Sequence, residues 1–318
     1  MIDTNNLQQM IEEGITALPL PKKLPGLYDP IRYTMDGGGK RIRPLLTLAT
    51  CQACGVSPEE AMNQALGIEM FHNFTLLHDD VMDRAETRRG RPTVWVKWDT
   101  STAILSGDTM LTLASMLMGK CPAEKMPAML ELFNRTAIQI YEGQQLDMDF
   151  EERSDVTVDE YIEMIRLKTG VLLGCACASG AMMAHASDST RQAFYDYGVN
   201  LGLAFQLRDD YLDTFGNEET FGKKPGGDIL NDKKTWLLIN ALSEAPEQIA
   251  PLLGGERSDA KIEAVTAIYR QLNLPARIHE EIDNYTVKAL EALGDATIPQ
   301  QARAWFEALT ASLSSREV

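Results

Sequence analysis

Two stretches of the chain, Leu76-Leu77-His78-Asp79-Asp80-Val81-Met82-Asp83 and Gln206-Leu207-Arg208-Asp209-Asp210-Tyr211-Leu212-Asp213, repeat one pattern of carboxylates, D-D-x-x-D, in apolar surroundings. On an α-helix the first and fifth residues of that pattern lie about one turn apart, so Asp79 and Asp83 share a face, as do Asp209 and Asp213. Like charges stacked in this way repel, and beside residues that should be buried they call for cations. Oxygen-only ligands suit hard ions, and magnesium in particular is usually held by one or two carboxylates together with water and substrate phosphates. The pair therefore reads as a clamp for Mg2+-diphosphate. One such motif in a chain with 46 acidic residues could equally be a solvated helix face. Two copies, each followed by a basic loop, favour the clamp.

The cations lie where a diphosphate would need them. Gly37-Gly38-Gly39-Lys40-Arg41-Ile42-Arg43-Pro44 sets three cations beside a glycine run. Glycines let backbone N–H groups approach an anion, lysine supplies a point charge and arginine a planar fork. The Walker spacing G-x-x-x-x-G-K-[ST] is absent. Arg84 and Arg88-Arg89-Gly90-Arg91-Pro92 follow the first aspartate motif, and Gly222-Lys223-Lys224 and Asp232-Lys233-Lys234-Thr235 follow the second. Lys168-Thr169-Gly170 interrupts an apolar run. A buried lysine needs either an anion or a partner carboxylate.

These motifs must be positioned by helices. Apolar residues recur at helical spacing over residues 59 to 83, opened by Ser57-Pro58-Glu59-Glu60, and again over 101 to 118, 124 to 150, 157 to 183, 188 to 214, 234 to 242, 259 to 271, 276 to 292 and 299 to 314. No run of short alternating strands occurs, and prolines and glycine clusters fall between the helical segments. Residues 170 to 184 are uncharged and rich in small side chains, but too short for the roughly 20 residues a bilayer span needs. They predict a buried central helix.

With 318 residues and no Gly/Ser/Pro-rich linker, the chain is expected to form a single domain over residues 1–318. Hydrophobic residues make up 44%, ample for a large core. A net charge of −16 argues against nucleic acid or an anionic membrane as the main partner. The first residues do not look like a secretory signal, and five cysteines, an odd number, fit a reducing cytoplasm. Cys51-x-x-Cys54 and Cys175-x-Cys177 lack a partnering histidine pattern and read as buried thiols rather than a zinc site.

Taken together, Gly38-Gly39-Lys40-Arg41-Ile42-Arg43-Pro44, Phe71-His72 with Leu76 and His78-Asp79-Asp80-x-x-Asp83, Arg88-Arg89-Gly90, Lys168-Thr169, and Phe205-Gln206-x-x-Asp209-Asp210-x-x-Asp213 with Gly222-Lys223 resemble the trans-type isoprenyl (polyprenyl) diphosphate synthases of short-chain product. The resemblance extends from about residue 36 to 240, in the family's order. It implies an all-α isoprenoid synthase fold, long helices around a deep central cavity, assembled as a homodimer. It also implies a reaction: an allylic diphosphate ionises and isopentenyl diphosphate attacks it head-to-tail. Metals and cationic donors would stabilise the charge that develops on the leaving diphosphate.

Residue roles follow from the same match. Asp79, Asp83 and Asp209 would hold Mg2+, on the order of three ions with substrate bound and with Mn2+ as a substitute, while Asp80, Asp210 and Asp213 would support them. Arg88, Lys168, Thr169, Gln206, Lys223 and Lys233 would contact the allylic diphosphate, with Lys234 as the alternative to Lys233. Lys40, Arg43, His72 and Arg89 would hold isopentenyl diphosphate, and Arg41 stands in the same basic run. Product length is expected to depend on Phe74, five positions before Asp79 and about 7.5 Å along the helix axis, with small Thr75 beside it and Phe71 as a second barrier or plain core. One aromatic at that position resembles the geranylgeranyl-forming type, so a C20 product is expected and C15 next. A class I terpene cyclase would lack the Gly-Gly-Lys-Arg run and the second aspartate motif. A non-catalytic partner subunit would have lost an acidic motif.

Overall fold

A computed structural model describes residues 2–217 and 225–314, and the expected all-α class holds. Among the described residues the only strands are the two-residue pair β1 (Thr87–Arg88) and β2 (Arg91–Pro92). The chain divides into two compact units, Met1–Arg135 with Cys175–Phe194 and Ala296–Ala302, and Thr136–Gly174 with Tyr195–Asp295 and Arg303–Val318.

In the first unit, α1 (Thr4–Thr16) begins where the Asp3 side chain accepts from the N–H groups of Asn5 and Asn6, and it buries Leu7, Ile11 and Ile15 at four-residue spacing. Next come α2 (Pro25–Met35), opened by a proline whose fixed φ suits a first turn, and α3 (Ile42–Ala53). The predicted helix start at Ser57 proves to be a tighter turn. Pro58–Ala61 forms a 310 helix in which Glu60 N–H donates to Ser57 O, and α4 (Met62–Met82) begins after it.

Helix α4 is buried through Phe71 and Phe74 to Asp80 and has no continuous polar face. After the short α5 (Val94–Lys97) comes α6 (Thr100–Met118), whose first turn is capped by Asp99 accepting from Thr102 N–H at 2.7 Å. It packs closely on α4. A Cβ at Gly67 would lie 3.2 Å from the Ala114 carbonyl oxygen, and one at Gly107 would run into the His78 ring.

The second unit holds α7 (Met126–Glu152) from Thr136 onward, and α8 (Val158–Ile165). Helix α8 is opened by a reciprocal cap between Thr157 and Glu160. Where the sequence predicts one unbroken helix over 157 to 183, residues Arg166–Gly170 form a π turn before α9 (Val171–Met183). Helix α10 (Asp188–Phe215) follows.

Three glycines let backbones meet around the π turn. A Cβ at Gly143 would lie 2.5 Å from the Lys168 nitrogen, one at Gly202 2.7 Å from Gly170 Cα, and one at Gly198 2.5 Å from the Leu173 carbonyl oxygen. The chain continues through α11 (Gly227–Leu230), α12 (Trp236–Glu244), α13 (Pro246–Ile249), α14 (Asp259–Gln271), α15 (Leu274–Gly294) and α16 (Gln300–Ser314). Tyr161, Leu207, Leu237, Tyr269 and Ile278 form the centre of this unit's core.

Residues 171 to 184 are buried throughout, as the uncharged stretch predicts. Among the described residues no helix is long and apolar enough to cross a membrane. All five cysteines are free thiols, and among the described residues no cluster of metal-ligating side chains includes them.

Candidate active site

Asp79, Asp80 and Asp83 occupy the last turn of α4 and its C-cap, where Asp83 N–H donates to Asp79 O at 2.8 Å. That end of a helix carries the negative pole of the macrodipole, which favours cations and disfavours carboxylates. No basic residue stands in the turn. Asp80 is buried, and its carboxylate accepts from Arg88 Nε at 2.8 Å. Burial raises the Asp80 pKa while the Arg88 charge opposes the rise.

Arg88 is held by the β1–β2 hairpin, in which it pairs with Arg91 across a turn formed by Arg89 (φ 52°) and Gly90 (φ 71°). Positive φ at both central residues is what a tight two-residue hairpin requires. The turn lays the Arg89 guanidinium on the glycine run, where it donates to Gly38 O. A Cβ at Gly39 would lie 2.9 Å from Arg89 Cζ, so the glycine makes room for the cation. A cleft lies here, lined among others by Tyr33, Asn73, Asp80, Arg88, Arg89 and Arg91. The Arg91 guanidinium and the Lys97 amine each stand 3.9 Å from the Tyr33 ring centre.

Arg43 Nη1 lies 3.3 Å from His72 Nε2. Burial, and then the charges of Arg43, Arg89, Arg88 and Arg41, hold the His72 pKa well below its ordinary 6.5, so the imidazole is neutral and Nε2 serves as acceptor. Lys40 is exposed beside them.

Arg41 requires a correction to the sequence reading. Its left-handed backbone (φ 49°) turns the side chain inward, where Nε donates to Glu12 at 2.9 Å, Nη1 to Glu69 at 2.7 Å and Nη2 to Met35 O at 2.7 Å. It is 5% exposed and faces protein partners rather than a ligand.

Phe74 is buried, with its ring centre 5.4 Å from Phe71 and 4.8 Å from His78. Phe71 is fully buried and packs edge-on against Phe133, so its place is in the core. Thr75 is half-buried, its hydroxyl donating to His72 O at 2.8 Å.

In the second unit Asp209, Asp210 and Asp213 stand in the last two turns of α10, again at a negative helix pole with no basic residue in the last turn. Asp210 accepts from the Tyr161 hydroxyl and from Gln206 Nε2 at 3.1 Å. Burial and the Asp228 charge push its pKa up to about 7, against the pull of Lys233 and these hydrogen bonds. Asp213 accepts from Asp228 N–H at 2.8 Å. The donor sets are oxygen only, and Asp80, Asp210 and Asp213 are each oriented by protein donors. Among the described residues no three or more metal-ligating side chains are gathered into a ready-made metal site, and each acidic turn, at a negative helix pole, offers hard oxygen donors only.

Around α10, the Thr169 hydroxyl donates to Gln206 Oε1 at 3.2 Å, and Lys168 Nζ lies 2.5 Å from Asp147 Oδ2. Lys168 therefore has a partner carboxylate. Lys233 lies 3.9 Å from Asp228; burial lowers its pKa, but Asp228, Asp147, Asp210 and Asp213 outweigh it and raise the value. The Lys234 amine instead donates to Asp232 O at 3.3 Å. Of the alternatives, Lys233 is the one among the carboxylates. Lys223 lies outside the described residues.

Sequence reasoning missed Asp147, Tyr161 and Asp228. A signal for Asp147 was present: Gly143 marks a close approach within a long helix, and four residues on is one turn along the same face.

A model of the polyprenyl synthetase family matches residues 25–272. A geranylgeranyl diphosphate synthase of Methanosarcina mazei is 40% identical over 245 residues, covering 76% of this chain and 75% of that protein. A geranylfarnesyl diphosphate synthase of Natronomonas pharaonis is 37% identical over 275 residues, covering 81% and 80%. Among solved structures, a geranylgeranyl pyrophosphate synthase superposes with a TM-score of 0.96 at 41% identity, covering 100% of both chains. Shared sequence over most of the length, shared backbone over all of it and the two acidic turns lead to one conclusion: the chain belongs to the polyprenyl synthetase family and is a prenyltransferase with the all-α isoprenoid synthase fold.

Proposed function

We propose that the chain condenses isopentenyl diphosphate head-to-tail with an allylic diphosphate (dimethylallyl, geranyl or farnesyl), releasing diphosphate and forming an all-trans product, C20 before C15. The observation that carries this reading is the pair of acidic turns at the negative poles of α4 and α10, with oxygen-only donors. Asp79, Asp83 and Asp209 are proposed as the Mg2+ ligands. Bound there, Mg2+ (or Mn2+) would offset the negative charge of a diphosphate.

The chain's own groups would do the rest. In the first unit Arg88, oriented by Asp80, contacts the allylic diphosphate, and Lys40, Arg43, neutral His72 and Arg89 hold isopentenyl diphosphate. In the second unit Lys168, Thr169, Gln206 and Lys233 bind the allylic diphosphate in an orientation set by Asp147, Asp210 and Asp228. Donors fixed before substrate arrives stabilise the leaving group without reorganising. The allylic C–O bond breaks, a carbon–carbon bond forms to the isopentenyl unit, and the departing diphosphate takes the proton that unit loses.

Phe74, near Asp79 on α4, supports a short product, as do the names of the relatives. A match running from residue 25 to 272 supports one polyprenyl synthetase domain over 1–318. Helix α6 exposes three separate large apolar side chains, Ile104, Leu105 and Met116, which supports a homodimer. Five free thiols support the cytoplasm. The test is incubation of pure protein with Mg2+, isopentenyl diphosphate and each allylic diphosphate in turn, with the products sized. Condensation to C20 is the expected result, and no chain longer than the allylic primer would refute the reading.

A further inference from the structure

The chain beyond Leu242 carries no recognisable motif, yet it buries a cation. Lys261, in the first turn of α14, is 6% exposed, and its Nζ lies 2.7 Å from Asp232 Oδ1. The other Asp232 oxygen accepts from Gly254 N–H at 2.8 Å. Burying an ammonium is costly unless a carboxylate meets it, so this contact constrains both partners.

What it constrains is the turn between α11 and α12. Asp232 has left-handed backbone (φ 52°), a conformation that costs energy in a residue with a side chain, though aspartate adopts it more readily than most. The next residue is Lys233, whose amine lies 3.9 Å from Asp228 and is within the electrostatic influence of Asp147, Asp210 and Asp213. Two further bonds lock the turn, Lys233 N–H to Asp228 O at 3.0 Å and Thr235 N–H to Lys233 O at 2.7 Å. Helix α14 also grips the segment's other end. A Cβ at Gly226, itself at φ 96°, would lie 2.5 Å from Ile262 Cδ1, the residue after Lys261. One turn of α14 thus holds Gly226 and Asp232, the two ends of the loop that carries Asp228 and delivers Lys233.

We propose that Lys261 is a positioning residue for diphosphate binding, clamping Asp232 so that the turn presents the Lys233 amine beside Asp228. The proposal rests on the reading of Lys233 as a diphosphate contact. A buried ion pair serving stability alone would leave ligand binding unchanged once the protein is folded.

The test compares Lys261→Met, Lys261→Arg, Asp232→Asn and Lys233→Gln in urea unfolding, in steady-state kinetics with both substrates, and in calorimetric binding of inorganic diphosphate with Mg2+. Lys261→Met is expected to bind diphosphate roughly tenfold more weakly and to raise the KM for the allylic substrate by a similar factor, with the KM for isopentenyl diphosphate unchanged. Lys261→Arg should restore most of the loss. In a Lys233→Gln background, Lys261→Met should add little, since both act through one amine. Folded Lys261→Met that binds diphosphate as wild type does would overturn the proposal, however much stability it lost. Should Lys261→Met not fold, Asp232→Asn breaks the same contact from its more exposed side and carries the same expectation. Wild-type protein that binds diphosphate, with variants unchanged, removes only the role of Lys261; wild-type protein that neither binds diphosphate nor condenses substrate removes the functional reading as well.

Discussion

Arg41 Nη1 donates to Glu69 Oε1 at 2.7 Å, and both side chains are 3% exposed. Asn73 Nδ2 adds a bond to the same carboxylate oxygen at 3.1 Å. Removing one member of such a pair strands the other charge in the core, so Arg41→Met should cost about 3–5 kcal/mol. Arg41→Met combined with Glu69→Met should recover part of that loss. Urea unfolding of the single and double variants measures both, and an Arg41→Met protein as stable as wild type would contradict the buried pairing.

The two neighbouring aspartates of the first motif should behave differently. Asp79→Asn is expected to reduce kcat by on the order of a hundredfold or more while far-UV circular dichroism stays unchanged, because the loss falls on the charge that develops in the transition state. Asp80→Asn should act through Arg88, weakening allylic substrate binding before turnover. Near-normal turnover by Asp79→Asn would sink the metal assignment.

His72 makes a pH prediction. Its pKa lies well below 6.5 in the folded protein and returns toward that value on unfolding. Between the two values the unfolded chain binds more protons, so stability rises with pH through that window and falls as pH drops below 6.5. The His72 ring resonances should titrate well below the ordinary imidazole value. His72→Phe should flatten the acid limb of the stability curve. A folded-state midpoint near the ordinary value would count against the cationic surroundings described for this ring.

Two rings on α4 should separate by function. Phe74→Ala is expected to lengthen the product in a chain-length assay, since its ring stands beside the turn that precedes Asp79. Phe71→Ala should instead lose about 3–5 kcal/mol by opening a cavity beside Phe133, with product length unchanged. An active Phe74→Ala that makes the wild-type length would move the floor to another helix.

The acidic turns were legible because their geometry is local: residues four apart on a helix share a face whatever the rest of the chain does. Lys168 shows where that stops. Its partner Asp147 lies 21 positions away, and only packing at Gly143 brings them together. Arg41 shows another limit. By residue type it matches Lys40 and Arg43, but one left-handed residue sends its guanidinium inward to Glu69. Helix α2 escaped notice because Pro25, Gly26 and Pro30 break its period, and α3 because nearly all of it is buried and shows no polar face, whereas the four-residue period of Leu7, Ile11 and Ile15 in α1 was legible. Likewise, hydrophobic periodicity over 157 to 183 gave no sign of the π turn.

That turn has a consequence for any attempt to rebuild this helix. A π turn holds one residue more than an α-helical turn, and each residue of an α-helix advances about 100° around the axis. Val171 to Met183 therefore run out of phase with Val158 to Ile165 by one residue's rotation. Cutting a single residue from Arg166–Gly170 would heal the backbone into regular helix, yet it would swing Gly170 and Gly174 off Gly202 and Val199 and present bulkier side chains to α10. Grafts from other prenyl synthases into this stretch must therefore be counted residue by residue, because here phase, more than side-chain chemistry, decides which face Lys168 and Thr169 occupy.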